Sequence, residues 1–390
     1  MPFIAEDPFV KVIEIRGYHL NFKPEHPLGN ARTFMRSRDF LALQVLTDTG
    51  LSGWGEVFSS PWAAAAVVQR QLAPLVLGQR PAHYGRLFNA MIASLGYDRR
   101  GPAMMAISAI DMALVDAAAR EREVRVVDLL GGATQERLFT YASGPFMREA
   151  ADPYAHYAEE TDSYLRQGFR ALKPRAGLSP QADGAMVQDL RRQVGADIGL
   201  MVDVNQGYAS GAACLSARAM EDAGLLWIEE PVQPEDLAGY QAVARASATP
   251  VAGGEALGSL ASFRDFLAGG ALAIVQPDMT VCGGFTGFQR VAHLAAAYDV
   301  PVMPHAFSTV INFYASLQMA ALLPTRRGGG ASPMPYVEWD PTGNPLIALF
   351  GCPLEADGFV SLPDGPGTGI DLRPEMLAPW TVETWSIKAP

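Results

Sequence analysis

The chain opens on two stretches in which apolar and polar residues alternate. "FVKVIEIRGYHL" (9–20) and "DFLALQVLTDTGLSGWGE" (39–56) are rich in β-branched residues, and Asp48, Thr49 and Gly50 punctuate the second. Alternation of this kind predicts strands, the second stretch folding back at its turn. The period then changes. Residues 62–79, 82–95 and 101–120 carry apolar positions at helical spacing, most clearly in "MMAISAIDMALVDAAARE". Gly131 and Gly132 read as a helix stop. Residues 1–132 therefore predict an α+β module.

From about residue 138 short apolar runs alternate with amphipathic, Ala-rich segments. The runs are "TYASGPF" (140–146), "ALKPR" (171–175), "GLMVDVN" (199–205), "LLWIEEP" (225–231), "PVAGGE" (250–255), "LAIVQPD" (272–278), "PVMPHAF" (301–307) and "YVEWD" (336–340). Eight buried strands with helical crossovers predict a closed parallel α/β barrel over 133–355, in preference to an open doubly wound sheet. "RRGGGASP" (326–333) reads as an irregular surface loop. The tail, 356–390, is rich in Gly and Pro and is expected to return to the N-terminal module.

Titratable residues end most of these runs, on the face where a parallel barrel builds its chemistry. From Asp203 to Glu229 is 26 residues and from Glu229 to Glu255 is 26 again; 23 more reach Asp278 and a further 27 reach His305. Each step is about one βα unit, so these side chains converge on one mouth. Asp203, Glu229 and Glu255 on adjacent strands cannot all stay ionised there without a cation. An all-oxygen set with room for water suits Mg²⁺. Glu230 points to the other side of its strand and is expected in a structural ion pair. Asp278 beside His305 would fix the imidazole tautomer and raise its basicity, which makes His305 the expected general base.

Lys173 and Arg175 lie two residues apart and share a strand face. Arg cannot shed a proton, so Arg175 is expected to hold a carboxylate or a developing negative charge. Lys173 is expected against a metal-binding carboxylate. Glu338 has two readings: a protonated donor to an enolic oxygen, or a carboxylate paired with Lys173 or Arg175. His83, His156 and His293 are read as structural. "CGGFTG" (282–287) has the wrong spacing for a dinucleotide fingerprint and reads as a turn into a helix.

The bulk numbers narrow the setting. The 390 residues are 49% hydrophobic and 18% charged, which suits one large domain beside a smaller one. A net charge of -11 argues against a nucleic-acid partner. An anionic substrate then needs a local positive centre. Three cysteines with no C-x-x-C pair fit a reducing compartment. The start, "MPFIAEDPFV", has no basic region followed by an apolar run. No run approaches the ~20 apolar residues of a membrane span. These features predict a cytoplasmic protein with no membrane partner.

Taken in order, "KPR", "VDVNQ", "WIEEP", "AGGE", "VQPD", "MPHAF" and "YVEWD" resemble the enolase superfamily, mandelate racemase subgroup, over nearly the whole chain. The resemblance implies a (β/α)7β barrel, a modified TIM barrel, behind an N-terminal α+β capping domain. It implies Mg²⁺ on Asp203, Glu229 and Glu255, an Asp278–His305 dyad, Glu338 near the enolic oxygen, and Asn205 helping to place the substrate. It also implies a small-molecule carboxylate substrate and a homo-oligomer, dimer or octamer. Muconate-lactonising and dipeptide-epimerising relatives carry Lys on the sixth strand, where this chain has Asp278. Arg175 stands where a second, Lys base would be. One-base reactions follow: dehydration of an acid sugar, or β-elimination that opens a sugar-acid lactone. "GGE", "QPD–CGGF" and "LPDGPGTGI" look most like galactarolactone cycloisomerases within the subgroup. A racemase and an inactive relative stay open as alternatives. By the same resemblance, loops 19–38 and 56–62 cover the mouth, with Lys23 and His26 among the cations that could meet a distal carboxylate.

Overall fold

The computed structural model describes residues 9–97 and 99–389. Most of the N-terminal stretch read above for a signal lies outside them. The first module is a four-stranded antiparallel sheet, in the order Thr381–Lys388, Val12–Phe22, Arg38–Thr47, Ser52–Val57. Its first strand comes from the C-terminal tail, with Ile15 opposite Ile387 and Gly17 opposite Trp385. Trp54 Nε1 also donates to the Leu372 carbonyl at 3.0 Å, and Asp116 accepts from the Thr368 amide at 2.8 Å. The tail thus returns to the module as its pattern predicts.

Helices Pro61–Val67 and Gly101–Glu121 cover this sheet, and Tyr84–Ser94 packs on the longer helix. Gly53 and Gly55 let the longer helix approach: a Cβ at Gly55 would lie 1.9 Å from the Ala109 carbonyl oxygen. Gly101–Glu121 is long and apolar enough to cross a membrane by length and composition, contrary to the sequence expectation. Yet 83% of its most apolar window is buried inside the fold. Its apolar surface goes all round because it is wedged between the sheet and the barrel helix Gly284–Ala297.

The barrel strands are short. They are Arg137–Ala142, Ala171–Leu172, the pieces Gly199–Leu200 and Val202–Asp203, Ile228–Glu229, Val251–Gly253, Ile274–Val275 and Tyr336–Trp339. The seventh expected strand survives as parallel bridges from Val302 to Val275 and from His305 to Asp278. Pro301 and Pro304 have no N–H to give to a ladder, and Pro174 interrupts the second strand in the same way. Parallel pairing runs 8-1-2-3 and, through the Arg175–Asp203 bridge, on to 3-4-5-6-7. At the seventh and eighth strands the Ala306 amide donates to Glu338 Oε2 at 3.0 Å. The chain thus places a capping module on a TIM-barrel-like domain, the architecture the resemblance implies.

Capping-module side chains are built into the barrel face. Arg38 donates to Asp340 at 2.5 Å and to the Phe307 carbonyl at 2.6 Å, all buried. Glu56 accepts from the Thr309 hydroxyl (2.6 Å) and the Asn312 amide (3.1 Å), at the start of helix Val310–Leu322. Ser108 and Asp111 accept from the amides of Gly283 (2.9 Å) and Thr286 (2.9 Å), at the start of Gly284–Ala297. Both acids satisfy amides that a helix leaves unpaired. The "CGGFTG" stretch is the turn it was read to be, with Gly283 and Gly284 at φ 105° and 64°.

Burial pushes the Asp111 carboxyl up to about 7 from its ordinary 3.8. The folded state therefore holds its proton more tightly than the unfolded chain. This stabilising contribution is complete below pH 3.8 and is lost as pH rises through about 7. Asp111→Asn keeps an acceptor for Thr286 and is expected to flatten the stability–pH curve across that window in chemical denaturation. Parallel curves for the two proteins would contradict the assignment.

Candidate active site

Lys173, Asp203, Glu229, Asp278, His305 and Glu338 are all buried at the C-terminal ends of their strands, and Glu255 is partly exposed among them. In-register parallel pairing sets Asp203 beside Glu229, and the next strand carries its carboxylate two residues beyond the ladder, at Glu255. Asp203, Glu229 and Glu255 each offer an oxygen within 4.8 Å of the others.

Two of the three carboxylates, Asp203 and Glu229, are fixed by hydrogen bonds from outside the cluster. Arg175 donates to Asp203 Oδ2 at 2.8 Å and to Ser143 Oγ at 3.0 Å, with its guanidinium 4.3 Å from the Phe146 ring centroid. The Asn205 amide and side chain both donate to Asp203 at 2.8 Å. Lys173 bridges Glu229 and Glu338. Trp227 Nε1 (2.9 Å) and Gln276 Nε2 (2.6 Å) donate to Glu229 Oε2. Glu255 Oε2 is buried with no hydrogen-bond partner.

The charges answer one another. Burial disfavours the Lys173 ammonium, but Glu229 and Glu338 outweigh it and hold the group well above its ordinary value. Burial would raise Glu338, yet Lys173, His305 and Arg175 hold it well below the carboxylate range. Glu338 lies 2.9 Å from Lys173, the pairing that one of its two readings expects. Burial pushes Glu255 up to about 7, with Asp203 and Glu229 adding to it against His305. The Asp203 carboxyl also rises, chiefly through burial, although Arg175 opposes this.

His305 Nδ1 lies 2.6 Å from Asp278 Oδ2, which leaves Nε2 facing Glu255 at 3.3 Å and Glu338 at 3.6 Å. Burial lowers its basicity; Glu255, Glu338 and Asp278 more than reverse this. Phe58, from the capping loop 56–62, packs edge-on to the imidazole with centroids 6.1 Å apart.

Some expected residues lie elsewhere. Lys23 and His26 are exposed on the capping loop. His26 lines a cavity of about 230 Å³ with Phe146, Arg148 and Tyr164, and none of the carboxylate cluster lines it. Asn205 is beside Asp203, and its Oδ1 has no partner. Among the described residues Glu230 forms no ion pair, contrary to expectation. Gln206 Nε2 donates to both its oxygens (3.0 and 2.9 Å), and its backbone is left-handed, φ 42°, so that strand alternation does not set its direction. Trp227, Gln276, Ser143 and Phe58 were not anticipated. The first two lie two residues before Glu229 and Asp278, so strand alternation could have found them.

The sequence profile described as mandelate racemase / muconate lactonizing enzyme, N-terminal domain, matches residues 13–131, and that described as enolase C-terminal domain-like matches 156–376. The chain belongs to the mandelate racemase / muconate lactonizing enzyme family. It is 34% identical to the D-galactarolactone cycloisomerase of Agrobacterium fabrum, over 94% of this chain and 98% of that one. Its fold superposes on the 3,6-anhydro-D-galactonate cycloisomerase of Zobellia galactanivorans with a TM-score of 0.85, at 28% identity, covering 96% and 100% of the two chains. It likewise matches the L-talarate dehydratase of Polaromonas sp. JS666, solved with Mg and L-glucarate, with a TM-score of 0.84 at 26% identity, covering 98% and 100%.

Mg²⁺ is the metal of this family, and the residues fit it. The cluster is all oxygen, three carboxylates converge, and one buried Glu255 oxygen has no hydrogen bond and faces only His305 Nε2, at 3.3 Å, among the described residues. Trp227 and Gln276 orient Glu229 as outer ligands orient a metal carboxylate. Trp227→Phe removes one such bond and keeps the ring. It is expected to weaken Mg²⁺ binding roughly tenfold in calorimetric titration. Unchanged affinity would place Glu229 outside the metal set.

Proposed function

We propose that this enzyme removes the proton α to the carboxylate of an acid sugar or its lactone and then expels the β-substituent. Asp203, Glu229 and Glu255 would hold Mg²⁺, which when bound stabilises the negative charge that grows on the substrate carboxylate as the proton leaves. One observation carries the one-base reading. Lys173 and Arg175 are both held as cations in buried ion pairs, which leaves His305 Nε2 as the nitrogen able to accept a proton at the carboxylate cluster.

His305 Nε2 takes the α-proton while Asp278 holds Nδ1–H and stabilises the imidazolium. Glu338 lies 3.6 Å from that nitrogen and adds to its stabilisation. Lys173 and Arg175 supply fixed positive charge beside the site where negative charge develops. His305 then returns the proton to the departing β-oxygen, as water from an acid sugar or as the opened ring oxygen of a lactone. The enol that remains tautomerises to a 2-keto-3-deoxy acid. Asn205 holds the Asp203 carboxylate through its amide and its side chain, both at 2.8 Å, and so helps to set the site that places the substrate. Phe58 closes the mouth above the imidazole and keeps water from it. The similarity to an aldarolactone cycloisomerase over almost the full length of both chains supports a dicarboxylic sugar lactone as the substrate class.

Incubation with Mg²⁺ and a panel of acid sugars and aldarolactones in D₂O tests this reading. A keto acid is expected from one panel member. His305→Asn is expected to slow its formation by roughly 10²–10⁴-fold. Deuterium entering the substrate with inversion at the α-carbon and no keto acid formed would show instead that protons move between faces.

A further inference from the structure

We propose that Thr280 is a positioning residue for proton transfer, fixing the Asp278 carboxylate so that Oδ2 is the oxygen presented to His305. The inference rests on the reading of Asp278 and His305 as the proton-transfer pair. Thr280 is wholly buried two residues beyond Asp278 and touches none of the three clustered carboxylates by hydrogen bond. Its amide and its hydroxyl both reach Asp278 Oδ1 at 2.6 Å. Against a carboxylate acceptor the hydroxyl must be the donor. Oδ1 is thereby committed, and Oδ2 is left for His305 Nδ1 at 2.6 Å. Asn312 Nδ2 adds longer contacts to both oxygens, at 3.4 and 3.5 Å. Its own Oδ1 is tied to Ser316 and its amide to Glu56 of the capping module.

A carboxylate turns easily about its terminal torsion, which is broad and two-fold. Two short bonds on one oxygen remove that freedom and keep the imidazole plane aligned. They also satisfy a buried oxygen whose loss of partners would be costly. Thr280 therefore acts through Asp278 on the direction of His305 Nε2, and leaves substrate binding to other groups.

Thr280→Val is nearly isosteric and removes the hydroxyl alone; Thr280→Ser restores it. Two readouts apply to the full chain with Mg²⁺. The first is steady-state kinetics on D-galactarolactone. The second is the downfield proton NMR signal of the His305 Nδ1–H bond, assigned by its loss in His305→Asn. Thr280→Val is expected to lower kcat roughly tenfold with KM within about twofold, and to displace the downfield signal. Thr280→Ser is expected to recover both. A Thr280→Val protein with wild-type kcat and signal overturns the proposal, as does a loss that Thr280→Ser fails to recover. Should Thr280→Val not fold, Thr280→Ala, which also removes the hydroxyl and keeps the amide bond, takes its place, with a displaced signal expected and an unmoved one overturning the proposal. The NMR readout needs no substrate. A wild-type protein inactive on the lactone would thus count against the substrate class, while the signal still decides the role of Thr280.

Discussion

The mouth of the barrel gathers more negative charge than its own cations balance, and much of the architecture follows from that. Asp203, Glu229, Glu230, Glu255, Asp278 and Glu338 converge there, against Lys173, Arg175 and one imidazole. Buried charge is tolerable only where it is paired and hydrogen-bonded. Glu338 and Glu229 share Lys173, Asp203 has Arg175, and Asp278 has His305 and Thr280. Among the described residues Glu230 is held by the Gln206 side chain, and it rises well above its ordinary value through burial and the nearby Glu255 and Asp203. Glu255 has an oxygen with no hydrogen bond, facing His305 Nε2, and also rises. The deficit is concentrated where the three clustered carboxylates meet, and a divalent cation is the species that would close it.

The capping module does more than roof the mouth. Glu56 caps the helix that follows the His305 strand, and Ser108 and Asp111 cap the helix that follows the Asp278 strand. Two residues after Glu56, Phe58 meets the imidazole edge. One end of a capping strand thus touches the proposed base from the front and the helix behind it from the rear. Arg38 completes the join. Its buried guanidinium pairs with Asp340 and lies 4.2 Å from the centroid of the ring of Phe307, two residues beyond His305. These contacts join the two modules through groups whose desolvation is offset only when both partners are present.

Much of this was legible in the sequence because parallel strands impose regular spacing. Steps of one βα unit brought Asp203, Glu229, Glu255, Asp278 and His305 to one face, as the structure has them. Alternation within a strand placed Lys173 and Arg175 on that face too. The same rule, applied upstream of each acid, would have found Trp227 and Gln276. Other features had no local signature. Arg38 and Asp340 are 302 residues apart, and Glu56 and Thr309 are 253 apart. No period or spacing relates them. Nor does spacing give direction to a flexible loop: Lys23 and His26 were chosen for their charge, and the loop carries them to the outer surface. Glu230 departed from expectation because its backbone leaves the extended region, which alternation cannot foresee.

The account stands on the carboxylate cluster being incomplete without a divalent cation. Thermal denaturation of the full chain across a Mg²⁺ titration, with Na⁺ matched for ionic strength, tests this most directly. An ion that binds the folded state alone adds RT ln(1 + [Mg²⁺]/Kd), about 2.7 kcal/mol at a hundredfold excess over Kd. The account predicts a Tm that climbs with Mg²⁺ beyond the Na⁺ control and stops climbing when Asp203 is replaced by Asn. A Tm that follows the Na⁺ control throughout would mean that the cluster balances its own charge and that the chemistry proposed for it is wrong.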